Sequence, residues 1–151
     1  MNEWTQGAYT ISTDQNRLDL ALIQRYLSQE SYWAKGRPVE ITHQVIKHSL
    51  CFGVYCQTAS SVEQVGFARV ITDYATHAYL ADVFILPTHQ GQGLGKWLMQ
   101  CVLACPATEA VYKWGLHTRD AHGLYAQFGF AAPSQPSLYM EIRKSPPWVT
   151  T

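Results

Sequence analysis

The chain has 151 residues, of which 47% are hydrophobic and 13% aromatic, a composition that excludes a disordered or low-complexity protein and fits one globular domain, 1–151. Eleven basic and eleven acidic residues cancel to zero formal charge, which argues against nucleic acid as a partner. No run reaches the roughly eighteen apolar residues of a membrane span, and "MNEWTQGAYTIS" lacks the basic-then-apolar pattern of a leader, so no membrane and a cytoplasmic protein are expected.

The first element in chain order is a short strand, "AYTIST" (8–13). A helix over "DQNRLDLALIQRYLSQE" (14–30) follows, capped around Ser12, Thr13 and Asp14, with Leu18, Leu22, Tyr26 and Leu20, Ile23, Leu27 at helical spacing. "SYWAKGRP" (31–38) breaks that pattern as a loop. "VEITHQVIKHSL" (39–50) reads as a second helix with Val39, Val45, Ile46 and Leu50 inward. "LCFGVYCQ" and "QVGFARVITDY", parted by the polar "TASSVE", form an antiparallel hairpin, and "HAYLADVFILP" is a strand closed by Pro87. A glycine-rich stretch then opens an amphipathic helix marked by Leu94, Leu98, Cys101, Val102 and Cys105. "VYKWGLHT" is a strand, "RDAHGLYAQFGF" a short helix ending near Gly129, "PSLYMEIR" a closing strand, and 144–151 a tail. The order, β-α-α-β-β-β-α-β-α-β, predicts an α/β (α+β) fold, a mixed sheet with helices on its faces.

The glycines sit in "LPTHQGQGLGKWLMQCVLA" (86–104). Glycine ahead of a helix costs entropy unless the backbone needs positive φ or close approach, and an anion held on free helix N–H groups supplies that need. A nucleotide P-loop is excluded: Gly91 to Gly95-Lys96 is one residue short and Trp97 replaces the metal-binding hydroxyl. A dinucleotide fingerprint fits poorly, since Lys96 occupies the last required glycine position. Gln90, Gly93 and Gly95 form Gln-x-x-Gly-x-Gly, which resembles the acyl-CoA signature of the GNAT superfamily of N-acetyltransferases. "LADVFILP" and "AHGLYAQFGF" resemble that family's other two landmarks, and the element order matches from Tyr9 to Arg143.

The resemblance implies acetyl-CoA as co-substrate, a mostly antiparallel sheet with one splayed parallel pair, and transfer by direct attack of a primary amine. The diphosphate would lie on backbone from Gln90 through Gly91, Gln92, Gly93, Leu94, Gly95 and Lys96, where the helix dipole favours it. The pantetheine arm would follow Val83, Phe84 and Ile85, with a backbone N–H near Val83 or Phe84 stabilising the oxyanion. Tyr125 is similar to the family's tyrosine that protonates the leaving thiolate. Thr118 stands where many members carry an asparagine on the CoA arm.

Asp82, in the apolar run "LADVFIL", is the leading base candidate; burial is expected to raise its pKa, and a structural carboxylate stays the competing reading. Tyr79, Tyr74 and Asp73 are further candidates, as is a water relay. A hydrolase reading of Asp120 and His122 lacks a nucleophile-elbow serine, and Asp120 is expected to cap its helix. Tyr32, Trp33, Lys35 and Arg37 offer aromatic faces for an ammonium and cations for a carboxylate, which suits a small amino-acid-like amine. A non-catalytic acetyl-CoA sensor is the alternative function. The cysteine spacings, five for Cys51/Cys56 and four for Cys101/Cys105, are not zinc-type pairs, so no metal and buried free thiols are expected. His43 and His48, five apart, do not share a helix face, and His89 beside the loop faces phosphate or water. A homodimer through a sheet edge or the tail is a candidate assembly.

Overall fold

Apolar residues repeating at every second position in the middle of the chain build a six-stranded sheet in a computed structural model that describes residues 1–149. The strands lie in sequence order: β1 (Glu3–Gln6), β2 (Tyr9–Ser12), β3 (Leu50–Gln57), β4 (Val62–Thr72), β5 (His77–Ile85) and β6 (Lys113–Leu116). Every neighbouring pair is antiparallel except β5–β6, which is parallel. Helices α1 (Leu20–Arg25), α2 (Val39–Lys47) and α3 (Leu94–Leu103) complete the first of two compact units, Met1–His117. The second, Thr118–Thr151, contains α4 (His122–Ala126). The last two residues of the expected tail lie outside the described residues. No helix among the described residues is long and apolar enough to cross a membrane.

The expected helix over 14–30 is broken. Asp14 caps only the 3-10 turn Gln15–Arg17, and Asp19 caps α1 by accepting the Leu22 N–H at 2.9 Å. Past Arg25 the helix widens over Tyr26–Glu30, where the Ser31 N–H reaches back five residues to the Tyr26 carbonyl at 2.9 Å. β1 was not expected: its burial pattern leaves only Trp4 partly covered, and its anchor is Trp4 stacked on Phe52 at 6.1 Å. The expected closing strand over "PSLYMEIR" is absent. Only a 3-10 turn, Pro136–Leu138, forms there, and Leu138, Met140 and Ile142 stay exposed, because alternation makes a strand only where a ladder partner exists.

Ile23 and Leu27, with Ala34 and Ile46, pack on Cys51, Phe67 and Phe84 of the sheet. In α2 it is Thr42 and Ile46 that are buried, whereas Val39 is exposed. Tyr26 stacks on Phe84 with 4.0 Å between ring centroids, so the widened turn closes over β5. Three cysteines are buried free thiols and Cys56 is half-buried; burial pushes Cys51 up to about 12 and Cys101 up to about 11.

Gly66 faces Ile85 across β4–β5, and a Cβ there would meet the Ile85 Cδ1 at 2.6 Å, the Phe84 carbonyl at 3.0 Å and the Val54 Cβ at 3.1 Å. The missing side chain lets β5 lie close to β4 where the arm-binding segment was expected. Gly66→Ala should lower stability by about 1–3 kcal/mol, the cost of overpacking, as measured by urea unfolding.

Candidate active site

The parallel pair is short. β5 and β6 are bonded only from His77↔Lys113 to Leu80↔Leu116, while β5 runs on to Ile85. Its far edge, from Ala81 onward, therefore has no strand partner among the described residues. On the other side of β5 the register slips: Ala81 faces Arg69 and Phe84 faces Phe67, so Asp82 and Val83 together oppose Ala68. This β-bulge places Asp82 at φ +52°, a left-handed conformation that, glycine apart, aspartate and asparagine tolerate better than other residues.

The Asp82 carboxylate, 1% exposed, is held by four hydrogen bonds. Arg37 donates Nη1 to Oδ2 at 2.8 Å and Nη2 to Oδ1 at 3.3 Å. Arg69 donates Nε to Oδ2 at 2.6 Å, and Trp33 donates Nε1 to Oδ1 at 2.9 Å. Burial alone would raise the carboxyl pKa; the Arg37 hydrogen bond and the Arg69 and Arg37 charges outweigh it and hold the group below the usual aspartate range. The expected rise is thus reversed. Its cause is company that the apolar run around Asp82 does not reveal.

The glycine segment follows β5 directly. Pro87–His89 is a 3-10 turn, and the Gln90 side chain donates Nε2 to the Ile85 carbonyl at 2.8 Å, folding the loop back on β5. Gly91 at φ +78° and Gly93 at φ +79° are left-handed, with open space where a Cβ would stand. Gly93 precedes α3 with no side chain capping the helix, and the first helical bond is Trp97 N–H to the Gly93 carbonyl at 3.0 Å. Leu94 is buried under the loop, and Gln92 and Lys96 are exposed. Tyr9 of β2 pins the loop: its hydroxyl meets His89 Nδ1 at 3.0 Å and donates to Gln92 Oε1 at 3.2 Å.

In the loop between α1 and α2, Tyr32 and Trp33 are 43% and 40% exposed and meet edge to face at 5.0 Å. Lys35 is exposed, whereas Arg37 is committed to Asp82. Tyr79 of β5 and His117, just past β6, meet through the Tyr79 hydroxyl and Nδ1 at 2.5 Å, next to where the parallel pair ends. Asp73 instead anchors a turn, accepting the Ala75 and Thr76 N–H groups.

In the second unit, Tyr125 is buried in α4 and meets Phe130 edge-on at 5.9 Å. The Phe130 N–H returns to the Tyr125 carbonyl at 3.3 Å around Gly129 at φ +90°, the expected helix stop. Asp120 does not cap α4: Ala121 holds that position, and the Thr118 hydroxyl accepts the Ala121 N–H at 3.0 Å.

Sequence reasoning missed Arg69 and Tyr9. Arg69 carried a readable signal, a lone cation in "VGFARVI" that burial obliges to find an anion. Tyr9 carried none, since it lies eighty residues from His89.

An acetyltransferase (GNAT) domain profile matches residues 47–132, more than half of the chain. A Gibberella zeae protein classed with the acetyltransferases is 36% identical over 126 residues, covering 74% of this chain and 68% of its own. A crystal structure from Xanthomonas campestris pv. campestris, assigned to the GNAT family, shares 45% identity at TM-score 0.88, with 97% of this chain and 100% of that one covered. A Clostridium acetobutylicum structure determined with acetyl-CoA shares the fold at TM-score 0.65 and 12% identity, over 89% of this chain and 94% of that one. The opened mixed sheet and these relatives define the chain as an acetyltransferase. It belongs to the GNAT family.

Because the Asp82 pKa is depressed by folding, its stabilising contribution is full above the unfolded value of about 3.9 and is lost as pH falls through the lower folded value. Wild-type stability should therefore drop between pH 5 and the acid limit, and Asp82→Asn should lack that component, as read by urea unfolding across pH. Arg69→Met, which removes one of two guanidiniums from Asp82 and leaves it Arg37 and Trp33, should cost about 1.5–3 kcal/mol at neutral pH by the same measurement.

Proposed function

We propose that this acetyltransferase takes its acetyl group from acetyl-CoA and passes it, by direct attack, to the primary amine of a small amino-acid-like molecule. The observation that carries the donor reading is the continuity of two features. The unpartnered edge of β5 past Leu80 leads through Gln90 into a helix whose first turn is uncapped and bordered by left-handed glycines. An extended amide-bearing arm suits the first feature and a diphosphate suits the second. Val83, Phe84 and Ile85 would line the arm, and an N–H of Val83 or Phe84 would stabilise the oxyanion. Gly91 to Lys96 would carry the diphosphate, and Thr118 would take the place of the family's asparagine.

Tyr125 acts in this reading as the acid that protonates the departing thiolate. That role rests on the resemblance of "HGLYAQFGF" alone. The ammonium of the acceptor must lose its proton before attack, and Asp82, already holding four hydrogen bonds, is poorly placed to take it. The base in our reading is water or the Tyr79–His117 pair. Tyr32 and Trp33 supply aromatic faces for the acceptor and Lys35 a free cation for its carboxylate, a task that Arg37 gives up to Asp82. The reading carries with it a cytoplasmic enzyme without nucleic-acid, membrane or metal partners; a homodimer is a further proposal.

Calorimetry with acetyl-CoA followed by thiol release on a panel of amines tests the whole. Micromolar-range binding and release dependent on amino-acid-like amines are expected; failure to bind contradicts the donor, and preference for polyamines or proteins contradicts the acceptor. Gly93→Ala, which puts a side chain at positive φ, should lower stability by about 1–2 kcal/mol, as read by urea unfolding. Tyr125→Phe should lower turnover and leave acetyl-CoA affinity in place; unchanged turnover removes it from the mechanism.

A further inference from the structure

We infer that Asp82 is a positioning residue: by holding Trp33, Arg37 and Arg69 it locks the bulge that carries Val83 and Phe84 into the opening beside β6, and so ties the acceptor loop to the acetyl end of the donor site. The inference rests on the acetyl-CoA reading above and goes beyond it in coupling two sites.

The geometry is specific on each count. A left-handed aspartate inside a strand does not hold itself in place, so something must fix it from outside the strand. The fixing groups come from two directions. Arg69 stands on β4 opposite Ala81, the last regular pair before the bulge, and donates across it to Oδ2. Arg37 and Trp33 arrive from the loop between α1 and α2, forty-five and forty-nine residues upstream, and both donate to Oδ1. Arg69 is braced in turn by the Ser49 hydroxyl, which itself donates to the Val45 carbonyl of α2. The bulge thus hangs on the same hydrogen-bond set that orients the exposed Trp33 indole.

One carboxylate serving both has two consequences. The indole cannot swing away without releasing Oδ1, so the acceptor platform is fixed before any acceptor arrives. An acceptor that presses on Trp33 or displaces the loop is felt at the bulge. Binding of acceptor and of the acetyl group should therefore be coupled, and the coupling should not reach the diphosphate, which sits on the loop after β5.

The test separates the two ends of the donor. Calorimetric affinities for acetyl-CoA and for CoA are measured on the wild type, Asp82→Asn, Arg37→Gln and Trp33→Phe. Asparagine tolerates left-handed backbone, so Asp82→Asn removes the charge and keeps the conformation accessible. Trp33→Phe deletes one donor and leaves both ion pairs, which guards against a variant that fails to fold. Asp82→Asn should weaken acetyl-CoA on the order of tenfold relative to CoA, the equivalent of one misplaced hydrogen bond to the acetyl carbonyl. Arg37→Gln should do the same and Trp33→Phe a few-fold less, with CoA affinity unchanged in all three. A merely structural role would lower the unfolding midpoint and move both ligands in parallel; that outcome, or an unchanged ratio in every variant, overturns the inference while the donor reading stands. A wild type that binds neither ligand overturns both.

Discussion

A carboxylate with 1% exposure stays ionised only if charge and hydrogen bonds replace the water it has lost, and the architecture of the first unit is arranged around meeting that demand at Asp82. Two guanidiniums and an indole converge on it from β4 and from the loop between the first two helices. Two cations facing one anion leave the buried group with a net positive charge. Arg69 spends part of its remaining capacity on Ser49, while Arg37 Nε stays buried without a partner. The α1–α2 loop follows a helix that has already widened over Tyr26–Glu30, so Tyr26 covers Phe84 and the loop is delivered over the same strand. Helix, loop and bulge are thus settled together.

The sheet is opened by two local departures from regular pairing. The parallel pair stops at Leu80, and the bulge that follows turns β5 just where its second edge has no strand partner among the described residues. Loss of ladder bonds along one edge is costly inside a domain, and such an edge is a template for an extended ligand. At the end of that edge the chain uses Gln90 to cover the Ile85 carbonyl and Tyr9 to hold His89 and Gln92. The loop is held by side chains, and no side chain caps the first turn of α3. Glycine is needed at 91 and 93 for φ, and the empty space beside both keeps the approach clear.

Much of this was legible in the sequence, and the division follows the range of the interactions. The three long strands and α2 and α3 carry enough periods to declare themselves; "LCFGVYCQ" coincides with β3 over Leu50–Gln57. The glycine loop was readable because positive φ leaves a residue-type signature. The first helix misled because Asp14 and Asp19 are both competent caps, and only packing decides that the continuous helix starts at the second. β1 has only Trp4 partly covered and so carries little apolar signal, and "PSLYMEIR" shows how alternation without a ladder partner mimics a strand. For Asp82 the apolar run pointed to a raised pKa, and its hydrogen-bonding company lowers it instead. Its partners lie thirteen, forty-five and forty-nine residues away, beyond any local window, although a lone arginine and a lone aspartate in two apolar strands jointly demanded each other.

The central claim is that one ligand runs along the open edge of β5, with its diphosphate on α3 and its acyl end at the bulge. Backbone amide shifts of the ¹⁵N-labelled protein, recorded as acetyl-CoA is added, test it most directly. The account predicts large shifts in two separated groups, Gly91 to Lys96 and Val83 to Ile85, with 3′,5′-ADP, which lacks the arm, moving the first group alone. Shifts confined to some other surface, or an Asp82 bulge indifferent to acetyl-CoA while the loop responds, would contradict it.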